Sequence, residues 1–284
     1  MDRDEIMVNK GQSLARQCFQ REVEQPDEQI HLERAALYLA QEDYPELDVE
    51  AYVKALDALA AAVKERSPQS SYPLKIIQAI NHYLYDELGF VGNTADYYDP
   101  RNSFLNEVID RRTGIPITLS LVYLAIAQRV GLPMVGINMP GHFLIRPVID
   151  EAEICVDAFH QGEILFPQDC EERLAQVYGH PVELKPAFLQ AVSKRQYLAR
   201  MLTNLKVTYS NQGKLEQTLA AIDRLLLLFP DTPLELRDRG IVYYHLDRAT
   251  EAQHDLESYL TLVPTAIDAP VIQRLLKTIK KGVV

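Results

Sequence analysis

The segment PITLSLVYLAIAQRVG, residues 116–131, constrains the fold more than any other. Its apolar residues Ile117, Leu119, Leu121, Val122, Leu124, Ile126 and Val130 fall on all sides of a helix. A helix apolar all round has to be enclosed by protein. Pro116 stands in the first turn, where its fixed φ is tolerated. Gly131 suits the C-terminal cap, and Pro133 prevents continuation. A chain of 284 residues, 47% apolar and 24% charged, has enough core material for one large domain or two ordinary ones.

Helical periodicity also marks the residues before this segment. EQIHLERAALYLAQ, from Glu28, places Ile30, Leu32, Ala35, Leu37, Leu39 and Ala40 mostly on one side, and Tyr44-Pro45 ends it. VEAYVKALDALAAAVKER follows, with Asp48 as its expected N-cap, and residues 67–71 (SPQSS) read as a linker. PLKIIQAINHYLYDEL is a third helix, ending near Gly89. Residues 1–27 are polar and poorly periodic, and are expected to form a loose leader.

After Gly131 the period changes. LPMVGIN, HFLIRPV and EICVDAF are short and rich in β-branched or aromatic residues, which predicts three strands, with a turn at Asp150-Glu151. A hairpin centred near Ile149-Asp150 places His142 opposite Asp157.

From about residue 188 the chain is helical and repeats. Tyr209 matches Tyr243, Leu226 matches Leu260 and Pro230 matches Pro264, each pair 34 residues apart. This is the tetratricopeptide period. Thr232-Pro233-Leu234-Glu235 reads as a capping box with proline at the first helical position. Two repeats do not bury their own faces. They are expected to pack on the preceding domain or on the last helix, DAPVIQRLLKTIKK.

A net charge of -11 without a basic cluster argues against nucleic acid as a partner, since phosphate contacts need Lys or Arg on one face. The three cysteines, Cys18, Cys155 and Cys170, suggest neither a disulfide framework nor a metal motif. No segment has the length and apolarity of a signal peptide or a membrane span, so the expected location is the cytoplasm.

The stretch YYDPRNSFLNEVIDRRTGIPITLSLVYLAIAQRVGLPMVGINMPGHFLIRP, residues 97–147, resembles the SirB family. The RRTGIP and PGHFL blocks carry the likeness, which extends from about Glu28 to Pro186 and over Arg195–Tyr209. The resemblance implies an α+β protein with a mainly helical, transglutaminase-like (papain-like) core, a small antiparallel sheet and a short tetratricopeptide α-solenoid. The domains expected are 1–27, 28–186 and 187–284. It also implies a cysteine-histidine-aspartate triad, with the cysteine at the start of a buried helix. There the helix dipole lowers the thiol pKa, while histidine shuttles the proton and aspartate orients the histidine. His142 in PGHFL matches the histidine and Asp157 in CVDAF the aspartate, but Pro116 stands in the place of the cysteine. Proline has no nucleophile.

Two functions are therefore expected as alternatives. One is a binding or regulatory protein with a degenerate core, whose repeats take a protein or peptide partner and which needs no cofactor or metal. The other is a hydrolase or acyltransferase that uses His142 and Asp157 with a nucleophile elsewhere. Cys155, Thr118 and Ser120 are the residues to consider, but strand packing explains the first, and capping and packing the other two. Cys18 falls in the leader, and the acidic neighbours Asp169, Glu171 and Glu172 are expected to raise the Cys170 pKa. Tyr97, Tyr98, Asp99, Arg101, Asn102 and Asn106 make up a polar loop that is either functional or pinned by its own turns. Arg111 and Arg112 fit ion-paired or solvated roles, and His160 a turn after the third strand.

Overall fold

A computed structural model describes residues 13–66, 72–149 and 154–282. The expected linker at 67–71 and the Asp150-Glu151 turn lie outside them. The described residues form two compact units: those up to Asn93 with Phe104–Lys194, and Thr94–Ser103 with the chain from Arg195.

In the first unit the chain enters through α1 (Leu14–Val23), which the Ser13 side chain caps by accepting from Arg16 N at 3.2 Å. This corrects the expectation of a loose leader over these residues. Ala15, Phe19 and Val23 recur every four residues and are buried, with α1 packed against α2 (Leu32–Gln41). Three small or apolar positions among charged neighbours give a stripe too narrow to stand out as a sequence pattern. α3 (Val49–Arg66) starts where expected, and Asp48 Oδ1 accepts from Ala51 N at 3.1 Å. α4 (Pro73–Asn81) runs on into a π-helical turn over His82–Glu87, and Gly89 (φ +73°) ends it.

α5 (Leu105–Arg111) ends on Arg112 in the left-handed conformation (φ 53°). Two short parallel strands, β1 (Val91–Gly92) and β2 (Thr113–Gly114), then lead into α6 (Pro116–Arg129). In α6, 11 of the 14 residues are buried. It packs against α2, α3, α4 and α5, so the helix apolar on every face is enclosed on every face. At its C-terminus Gly131 N donates to Gln128 O at 3.2 Å and Leu132 N to Ala127 O at 2.8 Å. With Gly131 at φ +86°, this is a Schellman cap.

α6 also packs against β3 (Met134–Ile137) and β4 (Leu144–Pro147). These pair antiparallel with β5 (Cys155–Asp157) and β6 (Glu163–Leu165) in the order β3-β4-β5-β6. The fourth strand was not expected; it is three residues long and follows a turn that carries no strand pattern. Ile145 pairs with Val156, two residues off the expected register, and His142 lies in the turn before β4 rather than in a strand. A two-residue slip leaves every side chain on its original face, whereas a one-residue slip would reverse them all. α7 (Pro167–Tyr178) follows β6, and the chain then returns to the free edge of β3, where Val192 N donates to Gly136 O at 2.9 Å.

The second unit contains α8 (Lys194–Asn211), α9 (Leu215–Leu228), α10 (Pro233–His245), α11 (Ala249–Leu262) and α12 (Ala269–Lys280). α9 and α11 begin and end 34 residues apart. The turns before them use a left-handed residue at equivalent positions, Gly213 (φ +68°) and Asp247 (φ 58°). Ile272, Leu276 and Ile279 of α12 cover Leu256 and Tyr259 of α11, so the last helix closes the array. Pro233 stands at the first position of α10, but the expected capping box does not form. Thr232 Oγ1 donates to Phe229 O at 3.0 Å, and Glu235 is held by Lys206 Nζ at 2.8 Å, an ion pair that outcompetes a neutral cap.

Candidate functional site

Asp157 ends β5 with its side chain fully buried. Its two oxygens have separate duties. Oδ1 accepts the backbone N–H groups of Phe159 at 3.0 Å and His160 at 3.2 Å, which holds the 158–160 turn. Oδ2 lies 2.8 Å from His142 Nε2, 2.8 Å from His160 Nδ1 and 3.0 Å from Arg173 Nη1 of α7. Burial pushes the carboxyl pKa up, but hydrogen bonds and charge from His142 and His160 outweigh it and hold the pKa at about 2.

With Nε2 directed at the carboxylate, Nδ1 is the His142 ring nitrogen that does not face Asp157. His160 is divided between partners. Arg173 Nη1 lies 3.1 Å from the same His160 Nδ1 that faces Asp157. When Nδ1 is protonated it donates to Asp157, and when bare it accepts from Arg173. Arg173 is itself anchored by an ion pair with Glu163 of β6.

The elements around the site fix this turn. Tyr85, from the π-helical turn, donates through its hydroxyl to Ala158 O at 3.0 Å. Asn81 Nδ2 donates to Gly162 O at 2.7 Å, and Tyr123 of α6 donates to Asn81 Oδ1 at 2.9 Å. The Phe159 ring rests on Gly92, where a Cβ would come within 2.5 Å of it.

Of the residues singled out from sequence, His142 and Asp157 meet, and His160 joins them from the turn. Arg173 was missed, because a residue on a helix 16 positions further on shows no pattern that ties it to a strand. Pro116 begins α6 as a buried residue. Thr118 Oγ1 is occupied by Ile115, accepting from its N–H and donating to its carbonyl, both at 3.2 Å. Ser120 Oγ is buried without a hydrogen-bond partner, so no base activates it. Arg112 donates to Leu88 O at 2.7 Å in a structural role. In the polar loop, Asn102 donates to Asp96 O at 2.8 Å, and Asp99 Oδ1 accepts Arg101 N at 3.0 Å. Asn106, in α5, leaves a buried Oδ1 without a partner.

His142, Asp157 and His160 bring three ligand-type atoms within 4.8 Å of one another. The chemistry of a cation site is nonetheless already met there, since the Arg173 guanidinium supplies the positive charge at the shared oxygen. The expectation for Cys170 is corrected. Its thiol is shifted down, because its interaction with Cys155 outweighs burial and the charge of Asp169. No helix among the described residues is long and apolar enough to cross a membrane.

Comparison with known proteins agrees with this architecture. The sequence profile of the transglutaminase-like superfamily matches residues 50–203, and that of the tetratricopeptide repeat matches 205–277. A UPF0162 protein of Xylella fastidiosa (strain 9a5c) is 36% identical over 251 residues, which cover 87% of this chain and 89% of that protein. A UPF0162 protein of Vibrio cholerae is 31% identical, covering 73% of this chain and 75% of its own. F-box only protein 21 of Mus musculus is 34% identical over 184 residues, 61% of this chain but 28% of the mouse protein. No solved structure matches the chain.

Proposed function

Since the chain belongs to the transglutaminase-like superfamily and, over most of its length, to the UPF0162 proteins, we propose that it is a non-catalytic binding or regulatory protein. Its core is a degenerate transglutaminase-like domain, and its repeats take a protein or peptide partner. The finer resemblance to the SirB family, through RRTGIP and PGHFL, fits this reading, as does a cytoplasmic location.

The observation that carries it is the pairing of Pro116 with Arg173. The helix N-terminus that would activate a thiol presents a proline. The carboxylate that would support a charged histidine already neutralises a guanidinium at 3.0 Å. That carboxylate oxygen is thus shared by His142, His160 and Arg173, whereas a catalytic triad dedicates it to orienting one histidine.

In the repeats, a groove of about 300 Å³ is lined by Lys206, Val207, Ser210, Asn211, Asp238 and Ile241. Val207 is 41% exposed there, an apolar contact offered beside polar ones. The second reading, a hydrolase or acyltransferase, is favoured by one observation: His142 is oriented through Nε2, with Nδ1 turned away from Asp157.

Two measurements separate the readings. Affinity capture with the full chain is expected to recover a partner that a Val207→Glu variant of equal thermal stability loses. A panel of amides, esters and thioesters is expected to show no turnover. Turnover abolished by His142→Ala in a chain that remains folded would establish the enzyme and overturn the binding reading.

A further inference from the structure

Cys155 and Cys170 are remote in sequence but meet in the fold. Cys155 lies on β5, two residues before Asp157 and on the same face, and Cys170 lies in the first turn of α7, three residues before Arg173. Strand and helix are thereby joined by two adjacent rungs, one between thiols and one between Asp157 and Arg173. Both thiols belong to a buried cluster with Ile137, Leu144, Leu165 and Leu174. They also line one cavity of about 530 Å³, with Arg146, Glu171 and Gln190 as polar walls. That is ample for small polar solutes, given about 30 Å³ for one water.

We propose that Cys170 and Cys155 form a hydroperoxide-reactive dithiol, with Cys170 as the attacking sulfur and Cys155 as the resolving one. The site is distinct from His142 and the repeat groove, and does not depend on which reading of those is correct. The two side chains share one buried cluster and one cavity wall, on β5 and in the first turn of α7. Their interaction, more than any other cause, pushes Cys155 up and brings Cys170 down, against burial and the charges of Asp169 and Asp157 and with help from Arg173.

The chemistry balances as follows. The Cys170 thiolate attacks one oxygen of the hydroperoxide. The O–O bond breaks, the alcohol (water, for hydrogen peroxide) leaves with a proton, and Cys170 becomes a sulfenic acid. Cys155 then gives up its proton and attacks the Cys170 sulfur. The S–O bond breaks, water leaves and the S–S bond forms. Two thiols lose two electrons in total, and one peroxide gains them. The resulting disulfide would tie β5 to α7 one rung from Asp157 and Arg173.

Cys18, half-buried with Arg21 Nη2 at 3.2 Å from its sulfur, is the competing thiol. The full chain carrying Cys18→Ser is therefore titrated with hydrogen peroxide at pH 7, and its thiols are counted after denaturation. One disulfide per peroxide consumed is expected, mapped between Cys155 and Cys170. In a Cys155→Ser chain, the sulfenic acid on Cys170 should persist and be trapped by dimedone. In the otherwise natural sequence, Cys170 should react at least ~tenfold faster than Cys18 if the paired site is the reactive one. Circular dichroism keeps misfolding of a variant apart from loss of reaction. The proposal is overturned if both thiols stay reduced in the folded Cys18→Ser chain while Cys18 oxidises in the natural one. It is equally overturned if Cys170 goes to sulfinic acid with Cys155 untouched.

Discussion

Asp157 shows how much one side chain can organise. Three donors converge on one oxygen and two backbone N–H groups on the other. This fixes the carboxylate in its charged form, with a pKa of about 2 against an ordinary 3.8. A carboxylate whose folded pKa is depressed stabilises fully above the unfolded value, and that stability is lost as pH falls through the folded one. Acid is thus expected to remove on the order of 2 kcal/mol between about pH 4 and pH 2 through this residue. Urea denaturation at stepped pH measures it, and an Asp157→Asn chain should show a much shallower loss over the same window. Asp157→Asn itself is expected to cost about 2–3 kcal/mol at pH 7, because Arg173 loses one of its two carboxylate partners while half-enclosed. An unchanged urea midpoint would mean that the Arg173 contact is solvent-compensated. The residues matched by resemblance, His142 and Asp157, were legible because PGHFL and CVDAF are local strings. Arg173 was not, because nothing in PQDCEERLAQVY marks one arginine as facing a buried carboxylate.

At the level of elements, the π-helical turn after α4 is what steadies the site. The residue at its mouth, Asn81, links Tyr123 of α6 to the carbonyl of Gly162. Gly162 has to be glycine: its φ is +72°, and a Cβ would lie 2.0 Å from Asn81 Oδ1. Gly162→Ala is expected to destabilise by at least about 2 kcal/mol, combining left-handed strain with a steric clash. Asn81→Ala is expected to cost about 1–3 kcal/mol by removing the donor to the Gly162 carbonyl and leaving the Tyr123 hydroxyl only its 3.3 Å bond to Ile77 O. If that variant also broadens the His142 and His160 ring resonances in NMR spectra, the turn is held from this side. Intact sharp resonances would assign its rigidity to Asp157 Oδ1 alone. The helix PLKIIQAINHYLYDEL was legible from its apolar period. Its change to π geometry was not, because the extra residue per turn is settled by what Tyr85 and Asn81 meet across the fold.

Across the whole molecule, the repeats follow a rule that the strands do not. Each repeat buries its face on its neighbour, so the pattern recurs in sequence as it does in space. Gly240 of α10 is a point of closest approach, where a Cβ would meet Leu256 at 2.7 Å. Gly240→Val is expected to cost about 1–3 kcal/mol from overpacking. Limited proteolysis should then find early cleavage in α10–α12, while the sites in α2–α6 stay protected. Cleavage spread evenly along the chain would show that the two units unfold as one. The stretch 94–103, read from sequence as a polar loop in the middle of the first domain, groups instead with the C-terminal helices, and Tyr98 O accepts from Gln212 Nε2 at 3.2 Å. Its turn chemistry was local and legible, but which unit it would join was not.

The sequence by itself determined the features that depend on neighbours along the chain. These are the enclosed helix at 116–129 with its proline start and glycine stop, the strand periodicity after it, and the 34-residue repeat. Tertiary structure alone decided what depends on two segments approaching through space. It offset the β4–β5 register by two residues, joined Arg173 to Asp157, paired Cys155 with Cys170, and turned three polar-flanked apolar residues of the first segment into a packed helix. The physical reason is that helix and strand patterns are repeated many times over, so a few residues suffice to reveal them. A contact between distant side chains occurs once, and its energy is settled by burial and charge that exist only after the chain has closed around it.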